Sequence, residues 1–324
     1  MHDIFSITRR GFPLADAGVL NSVTPHRLIP RALFSLWGHP VYFTNDMLML
    51  IVAATLMMVV FPYMAQRLKR DPVPRGIVNF LEAMLDFLRR EIFDPMLGRF
   101  SPRFTPYLWT CFFLILFCNL LGMLPLNEIF DIINYYTGWR IPEFWGGATG
   151  NVSMTAVLAL CTFATVHVSG LLEHIRLARQ GANPAHHAPQ PPVAAAPSRP
   201  RHAWPVALIS GVFLYFKGMV PTVPLPWLLG PIFFVLELLS TLVKPLSLCM
   251  RLFAVMMSGP LVIAVFVSMM FIAGNALVRG VVGLPVILFG TAFESLHLLE
   301  AFLQAFIFTL LSAAYIAEAL IREH

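Results

Sequence analysis

Six polar residues, Glu237, Ser240, Lys244, Ser247, Arg251 and Ser258, interrupt an otherwise apolar stretch at residues 227–273, with spacings of 3, 4, 3, 4 and 7. On a helix turning about 100° per residue, all six fall within about 40° of the Arg251 direction. A second set, Glu294, His297, Glu300 and Gln304, is spaced 3, 3 and 4 within residues 285–321. It covers about 120° of helix arc. Arginine keeps its charge at any working pH, whereas carboxylates and histidine exchange protons. An arginine at mid-membrane costs at least about 2.5–3.5 kcal/mol, so such residues mark ion pathways. The alternative is a structural ion pair, with Arg251 held by Glu237, Glu294 or Glu300. His297 alone would read as a packing histidine; sharing a stripe with two carboxylates makes it a proton relay. Lys244 reads equally as a member of the stripe and as a side chain snorkelling to the cytoplasmic side.

The elements that must position these residues are membrane helices. Charged residues make up 12% of the 324-residue chain and hydrophobic residues 58%, against about 25% charged in a soluble domain. This excludes a soluble globular protein, a nucleic-acid module and a disordered tail protein. The apolar runs are continuous and far longer than the ~10-residue alternating strands of a membrane β-barrel. The 47 residues of 227–273 would make a helix about 70 Å long, and those of 285–321 one of about 55 Å. The hydrocarbon core is about 30 Å thick. No polar turn divides 227–273, so one long element, bent at Pro245, is expected there. The short connector Gly274–Gly283 turns it into a hairpin with the second.

The fold class expected is an all-α polytopic membrane protein: upright transmembrane helices, an amphipathic surface helix, and a hairpin of two long, strongly inclined helices. Residues 1–43 form an irregular N-terminal tail, and 44–324 a single membrane domain. Spans are expected at about 47–65, 106–126, 150–172, 227–273 and 285–321. The surface helix, about 76–97, shows Ile77, Val78, Phe80, Leu81, Met84, Leu85, Leu88 and Ile92 at helical spacing, as on a helix lying on a bilayer. Residues 127–148 read as an aromatic, mildly acidic loop. A Pro/Ala/His-rich linker occupies 173–203, and a short membrane-seated helix 204–220 leads to the turn Pro221–Pro226. Basic residues in 66–104 and 173–203 place both on the cytoplasmic side, with 127–148 outside and the C-terminus inside. Cys111, Cys118, Cys161 and Cys249 lie in apolar stretches without a CxxC and read as small core residues. His186, His187 and His202 in the linker make no metal motif. No basic-then-apolar leader opens the chain, and no GxxxxGK[ST] phosphate loop occurs.

The run from Lys244 to Gly259, KPLSLCMRLFAVMMSG, resembles the arginine helix of subunit a of F-type ATP synthases. Leu303–Leu311, LQAFIFTLL, is similar to the last helix of that family. Asn119–Pro125, NLLGMLP, and Thr149–Thr155, TGNVSMT, resemble two further family segments. Glu237 and His297 stand at family positions. The resemblance covers about 105–172 and 221–321. It implies the stator part of a proton channel in a cell inner membrane, with two offset half-channels serving the carboxylates of a c-subunit ring. Partners implied are that ring, b-type peripheral stalk subunits, the remaining F1 and Fo subunits and the lipid bilayer. No nucleic acid, no cofactor and no catalytic role in isolation are implied. By the same resemblance Arg251 faces the ring. Glu237, Ser240, Lys244 and Ser247 line the cytoplasmic outlet, while His297, Glu300 and Gln304, with Asn119 and Asn151, line the inlet. Gln304 would also position Arg251.

Two residues depart from the pattern. Val255 replaces the usual asparagine, and Pro260 stands where members carry histidine or glutamate. Proline exchanges no proton, so Glu294, Glu300 or His297 must take over, or the chain conducts poorly. An autonomous secondary transporter is the remaining alternative; it predicts discontinuous helices around a midplane site.

Overall fold

The computed structural model describes residues 27–36, 39–70, 75–124, 126–138, 147–180, 230–272 and 276–320, with Trp145 and Val212. The tail up to residue 26, the core of the linker with its histidines, the turn Pro221–Pro226 and all but Val212 of the helix expected at 204–220 lie outside the described residues.

The elements are a hairpin, β1 (Arg27–Leu36) and β2 (His39–Thr44), then α1 (Asn45–Arg70), α2 (Ile77–Phe87), a π-helical turn (Leu88–Phe93), α3 (Asp94–Leu97) and a 3-10 turn (Gly98–Phe100). They continue with α4 (Ser101–Gly122), α5 (Leu126–Thr137), a 3-10 turn (Ala148–Gly150), α6 (Val152–Gln180), α7 (Gly230–Ile272) and α8 (Ala276–Leu320). Five helical stretches among the described residues are long and apolar enough to cross a membrane. In hydrocarbon every backbone N–H and C=O must be satisfied within its own segment, which favours unbroken helices. Side-chain hydroxyls follow the same rule by bonding back one turn: Thr55 Oγ1 donates to Ile51 O at 2.7 Å, Thr165 Oγ1 to Cys161 O and Thr291 Oγ1 to Ile287 O at 2.8 Å. Leucine and valine side chains at Val235, Leu239, Leu246, Leu284 and Leu288 are exposed. Exposed apolar side chains of this kind suit lipid or a partner, not water.

Four expectations require correction. Residues 27–44, within and just past the expected irregular tail, form an antiparallel hairpin, pairing Leu36 with His39 and Phe34 with Val41. The apolar and aromatic residues on either side of Trp37-Gly38 were its signal. The expected loop at 127–148 begins with α5, where Leu126, Ile129, Phe130 and Ile133 recur at helical spacing. It ends at Gly138, whose φ of +68° is the left-handed conformation of a helix cap; the Gly138 N–H donates to Asn134 O at 2.9 Å. Helix α6 runs on to Gln180, into the expected linker. Helix α8 starts at Ala276, inside the expected connector Gly274–Gly283, and runs on through Pro285, where the second long element was expected to begin. Residues 77–97, read as a surface helix, form α2, the π-helical turn and α3. Leu81, Leu88, Ile92, Phe93 and Leu97 are buried, while Ile77, Phe80 and Phe87 are exposed.

Helix α7 is a single helix of 43 residues, and α8 has 45. At 1.5 Å per residue they are about 65 and 68 Å long, over twice the hydrocarbon thickness.

The chain divides into two compact units. The first comprises Met1–Leu85, Trp109–Thr155 and Cys249–Phe308; the second comprises Asp86–Leu108, Ala156–Leu248 and Thr309–His324. In the first, Met49 and Ala53 of α1 pack with Cys118 of α4 and Ala148, flanked by Leu114, Phe117, Leu121 and Trp145. Aromatic edges tie α4 to its neighbours: Phe113 meets Phe61 at 4.9 Å and Phe112 meets Phe302 at 5.9 Å between ring centres. In the second unit, Phe104 and Leu108 of α4, Ala159 and Val166 of α6, Leu248 of α7 and Ala313 and Ile316 of α8 are buried. Tyr107 Oη donates to Thr162 Oγ1 at 3.1 Å, and Glu173 lies 3.9 Å from Arg103 and 3.7 Å from Arg176.

Candidate functional site: the arginine helix and the buried histidine

In the first unit, Leu252, Met256 and Gly259 of α7 are buried, Val255 and Ser258 are half-buried, and Arg251 and Ala254 are exposed. The helical turn explains the order: Leu252 and Gly259 point about 80–100° away from Arg251. Arg251 therefore stands at the margin of the packed face. Its side chain makes no hydrogen bond or ion pair with any described residue, so the structural ion pair with a glutamate is not formed. Ser258 Oγ donates to Val255 O at 2.7 Å and closes on its own helix.

Helix α8 turns the opposite character to the protein. His297 and Gln304 are each 3% exposed, while Glu300 is exposed and Glu294 half-buried. The buried set His297, Ala301, Gln304, Ala305 and Phe308 follows the 3–4 spacing of one helix face. The imidazole lies directly over Gly259 of α7: a Cβ there would fall 2.0 Å from His297 Cε1 and 2.1 Å from Nδ1. Only glycine admits the ring. Both ring nitrogens of His297, and Nε2 of Gln304, are buried without a hydrogen-bond partner among the described residues. A buried polar atom left unmet costs about 1–3 kcal/mol. The nearest carboxylate is Glu294, with Oε2 3.8 Å from His297 Nδ1. Of the three residues expected to stand in for the missing group at Pro260, the structure brings His297 and Glu294 together. Glu300 is turned out. The Pro260 side chain lies outside the described residues.

Asn119, read as an inlet residue, is fully buried with both ends engaged. Its Nδ2 donates to Ala301 O at 3.2 Å, and its Oδ1 accepts from Thr149 Oγ1 at 2.9 Å. It brackets α4, α8 and the 3-10 turn. Asn151 caps α6: the Ser153 N–H donates to its Oδ1 at 2.9 Å. The Asn151 amide in turn donates to Asp46 Oδ2 at 2.8 Å. Asp46, 4% exposed at the start of α1, was missed in the sequence because an acid in a first helical turn reads as ordinary dipole complementarity.

In the second unit, Ser240 and Ser247 of α7 are exposed, Glu237 and Lys244 half-buried, and Thr241 and Leu248 buried. Here too the polar stripe runs along the edge of the packed face. Lys244 is engaged: its Nζ donates to both Oε1 and Oε2 of Glu318 at 2.7 Å and lies 5.3 Å from the centre of the Tyr315 ring. The pair borders a largely apolar cavity, lined by Phe163, Val166, Leu248 and Ala319 as well as by Thr162, His167 and Thr241. Glu318 and Tyr315 were not recognised from sequence. A glutamate seven residues from the end of a chain looks like a solvated terminal charge.

The sequence model of the family described as ATP synthase A chain matches residues 47–194 and 206–317. Among relatives, ATP synthase subunit a of Myxococcus xanthus is 32% identical over 283 residues, covering 87% of this chain and 74% of the relative. ATP synthase subunit a of Chloroherpeton thalassium is 28% identical over 302 residues, covering 92% and 73%. The family match spans the arginine helix, the buried histidine and the glutamine of α8 alike. The chain therefore belongs to the ATP synthase A chain family, the non-catalytic proton-channel subunits of the ATP synthase membrane sector.

Proposed function

We propose that this chain is the stator half of a proton turbine in a cell inner membrane, with its C-terminus cytoplasmic. It passes protons to and from the carboxylates of a rotating c-subunit ring through two laterally offset half-channels. The b-type stalk subunits hold it against the ring, within the complete assembly of F1 and Fo subunits. Family membership sets aside the autonomous-transporter alternative. The observation that carries the reading is Arg251: a permanent charge on a membrane helix, exposed and without a partner among the described residues. Lipid is the worst neighbour for such a group. An anionic protein surface on the open side of α7 is the best, and a ring carboxylate supplies it.

The residues then divide the work. Arg251 lowers the pKa of the ring carboxylate before it, so that group releases its proton on reaching the arginine. Because the guanidinium cannot itself lose a proton, it also blocks direct passage between the half-channels. Glu237, Ser240 and Ser247 line the cytoplasmic outlet. On the inlet side His297 relays protons through its imidazole, with Glu294 as its neighbour and Glu300 nearer the mouth. Gln304 orients Arg251. Asn119 holds the inlet helices in register rather than carrying protons. Conduction is thereby kept without a titratable group at position 260.

Cross-linking tests the open face. In the assembled complex, Ser247→Cys and Ala254→Cys should each form disulfides with cysteines placed on the outer helix of the ring subunit, and Leu252→Cys should not. Cross-links from Leu252→Cys alone would put the ring on the wrong side of α7.

A further inference from the structure

We infer that Glu318 is a positioning residue for proton transfer on the cytoplasmic side: it holds the Lys244 ammonium, neutralised, away from the outlet. The inference rests on the half-channel reading above. Lys244 lies on the polar stripe of α7 seven residues before Arg251, about 10 Å along the helix, and between Ser240 and Ser247 in sequence. An unpaired ammonium there would face every proton crossing the outlet with a like charge.

The geometry prevents this. Both carboxylate oxygens of Glu318 accept from Lys244 Nζ at 2.7 Å. The Tyr315 ring, three residues earlier on the same helix, receives the ammonium at 5.3 Å in a cation–π contact. Carboxylate and ring thus approach Lys244 from adjacent turns of α8. The lysine side chain is 25% exposed and the glutamate 44%, so the lysine is the partner that depends on the pair for its solvation. The cavity beside the pair is lined largely by apolar side chains, Phe163, Val166 and Leu248 among them, so Glu318 is the strong polar partner the ammonium has on that side.

The test is ATP-driven acidification of inverted vesicles carrying the complete complex, normalised to assembled complex. Glu318→Gln should slow pumping about three- to tenfold, a modest factor because the pair is partly screened. Added salt on the cytoplasmic face should narrow the gap. Glu318→Asp, which keeps the charge, should pump nearer the wild-type rate. Adding Lys244→Met to Glu318→Gln should restore most of the loss, because the free ammonium is then gone. If the ion pair were only a clamp between α7 and α8, the double variant would pump no faster than Glu318→Gln, and that overturns the inference. Arg251→Ala measured in parallel separates the two levels. Normal pumping in Arg251→Ala overturns the half-channel reading itself. Its loss there, with wild-type pumping in Glu318→Gln, overturns only the role of Glu318.

Discussion

Arg251→Lys is expected to stop ATP-driven pumping although it keeps a positive charge, with a loss of about a hundredfold or more, as for other preorganised electrostatic groups. The two cations differ in the property the site uses. A guanidinium stays charged in any protein environment, whereas an ammonium placed against apolar surface gives up its proton readily. Arg251 projects from the margin of the packed face without a partner among the described residues, so its fixed charge acts on whatever ring group faces it. A lysine there could accept a proton from one half-channel and release it to the other. Passive proton conductance of vesicles stripped of F1 should therefore persist or rise while ATP-driven pumping disappears. Wild-type pumping by Arg251→Lys would show that charge alone suffices.

Gly259→Val is expected to cut pumping by at least about tenfold through displacement of His297. A Cβ at position 259 falls 2.0 Å from Cε1, 2.1 Å from Nδ1 and 2.9 Å from Nε2 of that ring, and the ring is 3% exposed, so it has nowhere near to go. Overpacking of this kind costs about 1–3 kcal/mol, and loss of a positioned proton-transfer group costs about 10²–10⁴ in rate. The two effects separate in a double variant. Gly259→Val with His297→Ala relieves the clash and should restore the amount of assembled complex, but not the pumping. Full pumping by the double variant would mean that His297 carries no protons and only fills space over Gly259.

The helix lengths and the polar stripes were legible in the sequence because membrane solvent makes them so: a bilayer leaves few alternatives to continuous helices, and Glu237 to Ser258 repeat at helical spacing. The arginine helix and the glutamine of α8 were legible as motifs. What escaped was of two kinds. Gly280, Gly283 and Pro285 and the polar residues after 172 read as ends of helices, yet α8 and α6 continue through them, since breaking a helix in hydrocarbon is worse than bending it. Partnerships across the chain were the other kind. Nothing near Lys244 announces Glu318, 74 residues away, and nothing near His297 announces that Gly259, 38 residues earlier, makes room for its ring. Spacing along one helix fixes which face a residue is on; the partner of that face is set by packing between helices. Asn119 shows the same limit: nothing near it in sequence announces its hydrogen bonds to Ala301 and Thr149.

The most direct test of the account is ATP-driven acidification of inverted vesicles containing the assembled complex, comparing the wild-type chain with Arg251→Ala. The account predicts steady pumping by the wild type, which also shows that Pro260 and Val255 are compensated, and none by Arg251→Ala at equal assembly. Equal pumping by both would contradict the role of Arg251, and absence of pumping in both would contradict conduction by this chain.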